Sequence, residues 1–177
     1  MFSSEGGHIG MSSIDKQQFE FEQFVKKKLG FKEDQIVSAE LLFCGVGIPL
    51  LYEFHLLQAG KSLEKPVLGE DVFGKIDSDA ISKKCFDHFL QLLGTCLAHL
   101  SAVALPDDGI YLCGSILTAV LPHIMKDIQV PSKSILIKSF TNSKAIGSYL
   151  ETIPIFFTPE IDLGLKGCWS FLQMIKQ

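Results

Sequence analysis

Four residues near the start of the chain, Glu5-Gly6-Gly7-His8, hold the densest chemistry in it. A carboxylate and an imidazole stand on either side of two residues without side chains. Both can turn toward one small polar ligand, and the glycines let backbone come close to it. A third candidate, Glu40, follows in Val37-Ser38-Ala39-Glu40. Carboxylates and imidazoles of this kind suit a sugar, whose adjacent hydroxyls give and take several hydrogen bonds at once. Taken alone, a structural role for Glu5, His8 and Glu40 is the simpler reading. Gly114-Ser115 is a separate candidate. It lies where a short apolar strand feeds a helix, and a helix N-terminus offers free amides to a phosphate or nucleotide. The same turn is also the ordinary connector of α/β proteins.

Other chemistries find little support in the sequence. Gly45-Val46-Gly47 lacks the third glycine of a dinucleotide-binding loop, because Leu50 stands there; it reads instead as a helix-breaking turn that brings the chain close to a ligand. The histidines His8, His55, His88, His99 and His123 are scattered, so no metal site is expected. His88 and His99 fall on the longest helix and read as surface or capped core residues. There is no G-x-S-x-G elbow, no cysteine with an evident base partner and no Walker-type phosphate loop.

These residues must be positioned by elements legible in the apolar spacing. Ser12 and Ser13, with Asp15, are expected to cap a first helix carrying Phe21, Phe24, Val25 and Leu29 on one face and ending at Gly30. Ser38 reads as the N-cap of a short helix with Glu40 in its first turn. A further helix runs from Ile48 to Ala59, with Pro49 in its first turn. Residues 60–74 read as a loop. The longest helix begins near Asp77 or Ser78 and buries Ile81, Cys85, Phe89, Leu92, Leu93, Cys96, Leu97, Leu100 and Val103. After the turn Pro106–Gly109 come a strand at 110–113 and a helix at 116–126 that contains Pro122. Residues 134–140 are ambiguous between helix and strand. A short helix at 143–150, a strand at 153–157 and a closing amphipathic helix at 163–175 complete an α/β pattern in which helices cover a small sheet.

Composition narrows the function. The 177 residues are 47% hydrophobic and carry a net charge of −4. All 16 basic residues are lysine, so the planar guanidinium fork suited to phosphates is missing and nucleic acid is not an expected ligand. A mean hydropathy of +0.28 is high for a free-standing domain and suggests a face covered by another domain or subunit. The apolar runs fall short of a membrane span. Five widely spaced cysteines read as reduced core thiols and, with no signal peptide before Glu5, point to the cytoplasm.

In order along the chain, Glu5–His8, Val37–Glu40, Cys44–Gly47, Gly109–Ile116, Ile153–Ile155 and Leu163–Gly167 resemble the bacterial glucokinase family, within the actin-like sugar kinase superfamily. The likeness runs from about Ser4 to the C-terminus. A related repressor–kinase family carries a cysteine-rich zinc motif, which this chain lacks. The resemblance implies an actin-like ATPase (ribonuclease H-like) α/β lobe, with a small mixed sheet covered by helices. It makes residues 1–177 a single C-terminal (large) lobe, with 163–177 as its closing helix.

The same likeness implies ATP-dependent phosphorylation of glucose to glucose 6-phosphate, with Mg²⁺ on the nucleotide. Glu5, His8 and Glu40 would match the family's hexose-hydroxyl ligands, and Gly114 and Ser115 would lie near the adenosine. Three positions depart from the family pattern: Ser115 where a second glycine is usual, Cys44 where serine is usual and Val46 where proline is common. The family's phosphate loop and general-base aspartate belong to an N-terminal half with no counterpart among these residues. Accordingly no catalytic residue is assigned, and the chain alone is expected not to phosphorylate glucose at a useful rate. The alternatives are a truncated or split sugar-binding lobe, or a kinase of another hexose or amino sugar. Exposed apolar surface would favour self-association or a complementary N-terminal half.

Overall fold

The computed structural model describes residues 5–160 and 162–175. Its axis is a 25-residue helix, α5 (Ala80–Ala104), about 37 Å long at 1.5 Å per residue. Asp79 caps it, accepting from both the backbone N–H and the hydroxyl of Ser82 at 2.8 Å. Its apolar residues recur at helical spacing, and Cys85, Phe86, Phe89, Leu90, Leu93 and Leu97 are buried in the core. The sequence places the start two or three residues early, and it counts Val103 as core, whereas Val103 is 87% exposed.

Helix α1 (Lys16–Leu29) is capped by Asp15, which accepts from the Gln18 N–H at 2.8 Å. Ser13, an expected cap, instead donates to Glu22 at 2.8 Å. Phe21 and Val25 are fully buried, and the helix ends at Gly30. Next come α2 (Ala39–Phe43) and α3 (Gly47–Gln58), the latter packed on α5. Within the expected loop lies a helix, α4 (Gly69–Phe73). Asp71 accepts from the Leu68 N–H and fixes its first turn, while Val72 and Phe73 enter the core.

Strand β1 (Ile110–Leu112) pairs in parallel with β2 (Ile155–Phe157), Ile110 opposite Ile155. Parallel partners need a long crossover. Here it is α6 (Ser115–Ile128), α7 (Ile135–Phe140) and α8 (Gly147–Leu150). Pro154 directly precedes β2, where its missing N–H costs no ladder bond. The sheet turns Ile110, Leu112, Ile155 and Phe157 toward the core, and Tyr111 and Phe156 stack on its outer face at 4.9 Å.

Segment 134–140 is helical because α6 hands it a cap. Asp127 accepts from the Ser134 hydroxyl at 2.6 Å and from the N–H groups of Ile135 and Leu136 at 3.0 and 3.2 Å. The Ser134 hydroxyl in turn accepts from Ile137 N–H. Gly94 of α5 lets α7 lie close, since a Cβ there would stand 2.6 Å from the Leu136 carbonyl. Helix α9 (Leu163–Ile175) forms as expected, yet none of its residues is buried. The cysteines divide as well: Cys85 is buried, while Cys113 and Cys168 are exposed rather than core thiols. No helix among the described residues is long and apolar enough to cross a membrane.

Candidate functional site

Glu40 follows His8 by 32 positions, yet a short antiparallel seam brings them together. Residues 9–11 run beside residues 37–39: Ala39 N–H donates to the Ile9 carbonyl and Met11 N–H to the Val37 carbonyl, both at 2.8 Å. The seam rests on α5, because Ile9–Ser12, Ala39 and Leu42 share a small crevice with Leu92, Thr95, Cys96 and His99. Gly6–His8 form a single 3-10 turn, closed by His8 N–H donating to the Glu5 carbonyl. Gly7 lies over Glu40, where a Cβ would meet the Glu40 Cβ at 3.5 Å.

In consequence the imidazole stands between the two carboxylates. His8 Nδ1 is 3.1 Å from Glu40 Oε2, and His8 Nε2 is 3.7 Å from Glu5 Oε2. All three side chains are open to solvent, at 88% for Glu5, 62% for His8 and 60% for Glu40. One oxygen of each carboxylate has no partner among the described residues and is free to accept hydroxyl protons. The trio therefore converges as one exposed polar cluster on a rigid seam. Water competes for such groups, so a ligand must engage several at once to gain net affinity.

Gly114 and Ser115 lie at the start of α6. Gly114 has φ 125°, a conformation that side chains disfavour, and nothing lies within 4 Å of where its Cβ would be. No side chain caps this 14-residue helix. Its first amides therefore face open space, which is what a phosphate or ribose requires. Two cavities flank the turn. One, of about 330 Å³, is lined by Phe43, Cys44, Gly45, Cys113, Gly114 and Ser115. The other, of about 450 Å³, opens between α4 and α6 along Gly45, Gly69, Phe73, Ser115 and His123.

Helix α2 links the two regions. Glu40 is in its first turn, and Phe43 and Cys44 at its end reach the cavity beside Gly114, roughly 6 Å further along the axis at 1.5 Å per residue. Gly47 holds this spacer in place, since a Cβ there would stand 2.2 Å from the Leu42 carbonyl. The helix break expected at Gly45–Gly47 is present, since α2 ends at Phe43 and α3 begins at Gly47. The sequence reading missed the α4 wall of the larger cavity, although Asp71, which accepts from the Leu68 N–H, is a first-turn carboxylate. Among the described residues no three His, Cys, Asp or Glu side chains cluster to hold a metal ion.

This α/β lobe, with its parallel strand pair, glycine-opened helix and polar seam on α5, has counterparts among solved structures. It superposes on a glucokinase from an Antarctic psychrotroph with a TM-score of 0.74 at 18% identity, covering 90% of this chain and 46% of that one. A glucokinase from Balamuthia mandrillaris, solved in complex with glucose, gives 0.77 at 14% identity over 90% of this chain and 43% of that one. A sequence model of the glucokinase family matches residues 1–175, and the chain belongs to that family. Glucokinase from Neisseria meningitidis is 29% identical over 97% of this chain and 49% of its own length. The enzyme from Neisseria gonorrhoeae is 26% identical over 96% of this chain and 48% of its own. The chain thus spans about half the length of these curated relatives.

Proposed function

We propose that this chain is the hexose-binding lobe of a glucokinase-type kinase, which transfers the γ-phosphoryl of ATP to the 6-hydroxyl of glucose. The observation that carries the reading is the convergence of Glu5, His8 and Glu40 on one seam. Their free carboxylate oxygens would accept from ring hydroxyls, and the imidazole would fix both carboxylates in the receiving orientation. Gly114 and Ser115 would hold the adenosine side of ATP, at the other end of α2 from the sugar. Bound ATP supplies the phosphoryl group, and Mg²⁺ would be carried on its phosphates. Restricting both ligands to the two ends of one five-residue helix is a positioning device, the main currency of phosphoryl transfer.

A second reading, a sugar-binding lobe that does not turn over its ligand by itself, is favoured by the exposure of Glu5, His8 and Glu40, which suits hydroxyl binding rather than proton transfer. In either case we place it in the cytoplasm, where its free thiols stay reduced. Calorimetric titration of the 177-residue chain with glucose, mannose and N-acetylglucosamine tests the sugar assignment. Glucose is expected to bind most tightly; preference for another sugar would reassign the substrate. Binding of none below millimolar concentration would remove the reading.

A further inference from the structure

A separate cavity, of about 450 Å³, lies at the far end of α6 from Gly114. Ile128, the last residue of α6, lines it, roughly 20 Å from Ser115 at 1.5 Å per residue. Its walls are Leu136 and Phe140 of α7, Leu150 of α8, and Ile155 and Phe157 of β2. The first three are buried, so the walls are set by the core rather than by mobile surface chains. Sites for small ligands run from roughly 300 to 1,000 Å³, with mostly apolar walls and a few polar groups that decide what enters.

The polar groups on the rim narrow the ligand. Thr141 is spent, since its hydroxyl donates to the Ile137 carbonyl at 3.0 Å. Lys138 and Glu151 both line the cavity and are exposed. Neither has an ion-pair partner among the described residues, and they do not pair with each other. A ligand with a single charge, such as a fatty acid or a peptide terminus, answers one of them and leaves the other idle. A small molecule that bears both signs beside an apolar tail answers the rim and the walls together. A large apolar α-amino acid has that form: its carboxylate meets the Lys138 ammonium, its ammonium meets the Glu151 carboxylate, and its side chain enters the apolar space.

We propose that this cavity binds a free α-amino acid with a large apolar side chain, of the leucine or phenylalanine class. The site uses none of Glu5, His8, Glu40, Gly114 or Ser115. It is therefore independent of the hexose reading, and glucose titration of the same samples separates failure of one from failure of the other.

Titration of L-leucine and L-phenylalanine into the isotopically labelled 177-residue chain, followed by amide NMR, tests it. Saturable shifts should appear at residues 136–141 and 150–157, with a dissociation constant in the millimolar range or below. Glycine, without a side chain, should give no saturable shift. L-Leucinamide lacks the carboxylate and N-acetyl-L-leucine lacks the ammonium; each should bind about two- to fivefold more weakly than L-leucine, the worth of one exposed ion pair. Lys138→Met should erase the preference for leucine over leucinamide and keep that over N-acetyl-leucine, and Glu151→Gln should do the reverse. Both variants should keep the unliganded thermal midpoint, because both side chains are exposed. Four results would each overturn the proposal: no saturable shift with either amino acid, shifts centred on the seam at 5–11 and 37–40, a blocked leucine that binds as tightly as leucine, or a Lys138→Met chain that still prefers leucine to leucinamide.

Discussion

Acid should destabilise this fold through two buried histidines well before its carboxylates protonate. His55 on α3 and His88 on α5 are almost fully buried, with His55 Nε2 3.2 Å from His88 Nδ1. Phe21 and Phe54 meet the His88 ring, and Gln17 reaches it from α1 at 3.2 Å. His88 Nε2 has no hydrogen-bond partner among the described residues. Loss of water around the ring, with the neighbouring His55, holds His88 down to about 3. Burial, helped by Lys84, holds His55 at about 4.

Unfolded, each titrates near 6.5, so the unfolded chain binds more protons than the folded one below that pH. Stability is then complete above pH 6.5 and falls as the solution is acidified toward the folded values. At pH 5 each ring costs about 2 kcal/mol relative to pH 7.5, and the pair about 4 kcal/mol if the two act independently. That is a large part of the 5–15 kcal/mol typical of a domain.

Urea unfolding followed by circular dichroism at pH 7.5, 6 and 5 measures the slope directly. It should approach two protons taken up on unfolding, near 2.7 kcal/mol per pH unit just above pH 5. The variant His88→Leu should lose about half of that slope even though it is less stable at pH 7.5. Stability that stays level within 1 kcal/mol from pH 7.5 to 5, or an unaltered slope in His88→Leu, would refute the assignment of two neutral buried imidazoles.

Two further outcomes follow from packing. Gly47→Ala should destabilise by roughly 2–4 kcal/mol, because its Cβ would meet the Leu42 carbonyl at 2.2 Å; the loss should appear in thermal unfolding, and a neutral effect would mean that α2 is not pinned there. Cys113, exposed, should react with a maleimide at the rate of a free thiol, whereas Cys85, whose thiol is pushed up by burial, should react only as the protein unfolds. Mass spectrometry of the native labelled chain decides this, and equal labelling of both would contradict the burial of Cys85.

How much of this was legible in the sequence depended on whether a signal was local. The apolar period of α5 and the turn at Pro106–Gly109 are local, and both are present, although α5 starts two or three residues later than expected and leaves Val103 exposed. Helix α4 was lost inside a polar stretch because its short apolar face gains meaning only against Ile48 and α6. The ambiguity of 134–140 was resolved by Asp127, seven or more residues away, which no window over the segment includes. The convergence of His8 with Glu40 needed the seam between 9–11 and 37–39, a pairing invisible to spacing; the family likeness supplied the expectation and the backbone supplied its mechanism. The closing helix was read as amphipathic, but what covers it is a question of partners rather than of sequence.

The central claim is that Glu5, His8 and Glu40 act together on a sugar, and titration of glucose into the wild-type chain and Glu40→Gln tests it most directly. The account predicts binding below millimolar in the wild type. It predicts at least a tenfold loss in Glu40→Gln, about 1.4 kcal/mol, with an unchanged thermal midpoint because the side chain is 60% exposed. Equal affinity in the two proteins, or no measurable binding by the wild type, would contradict it.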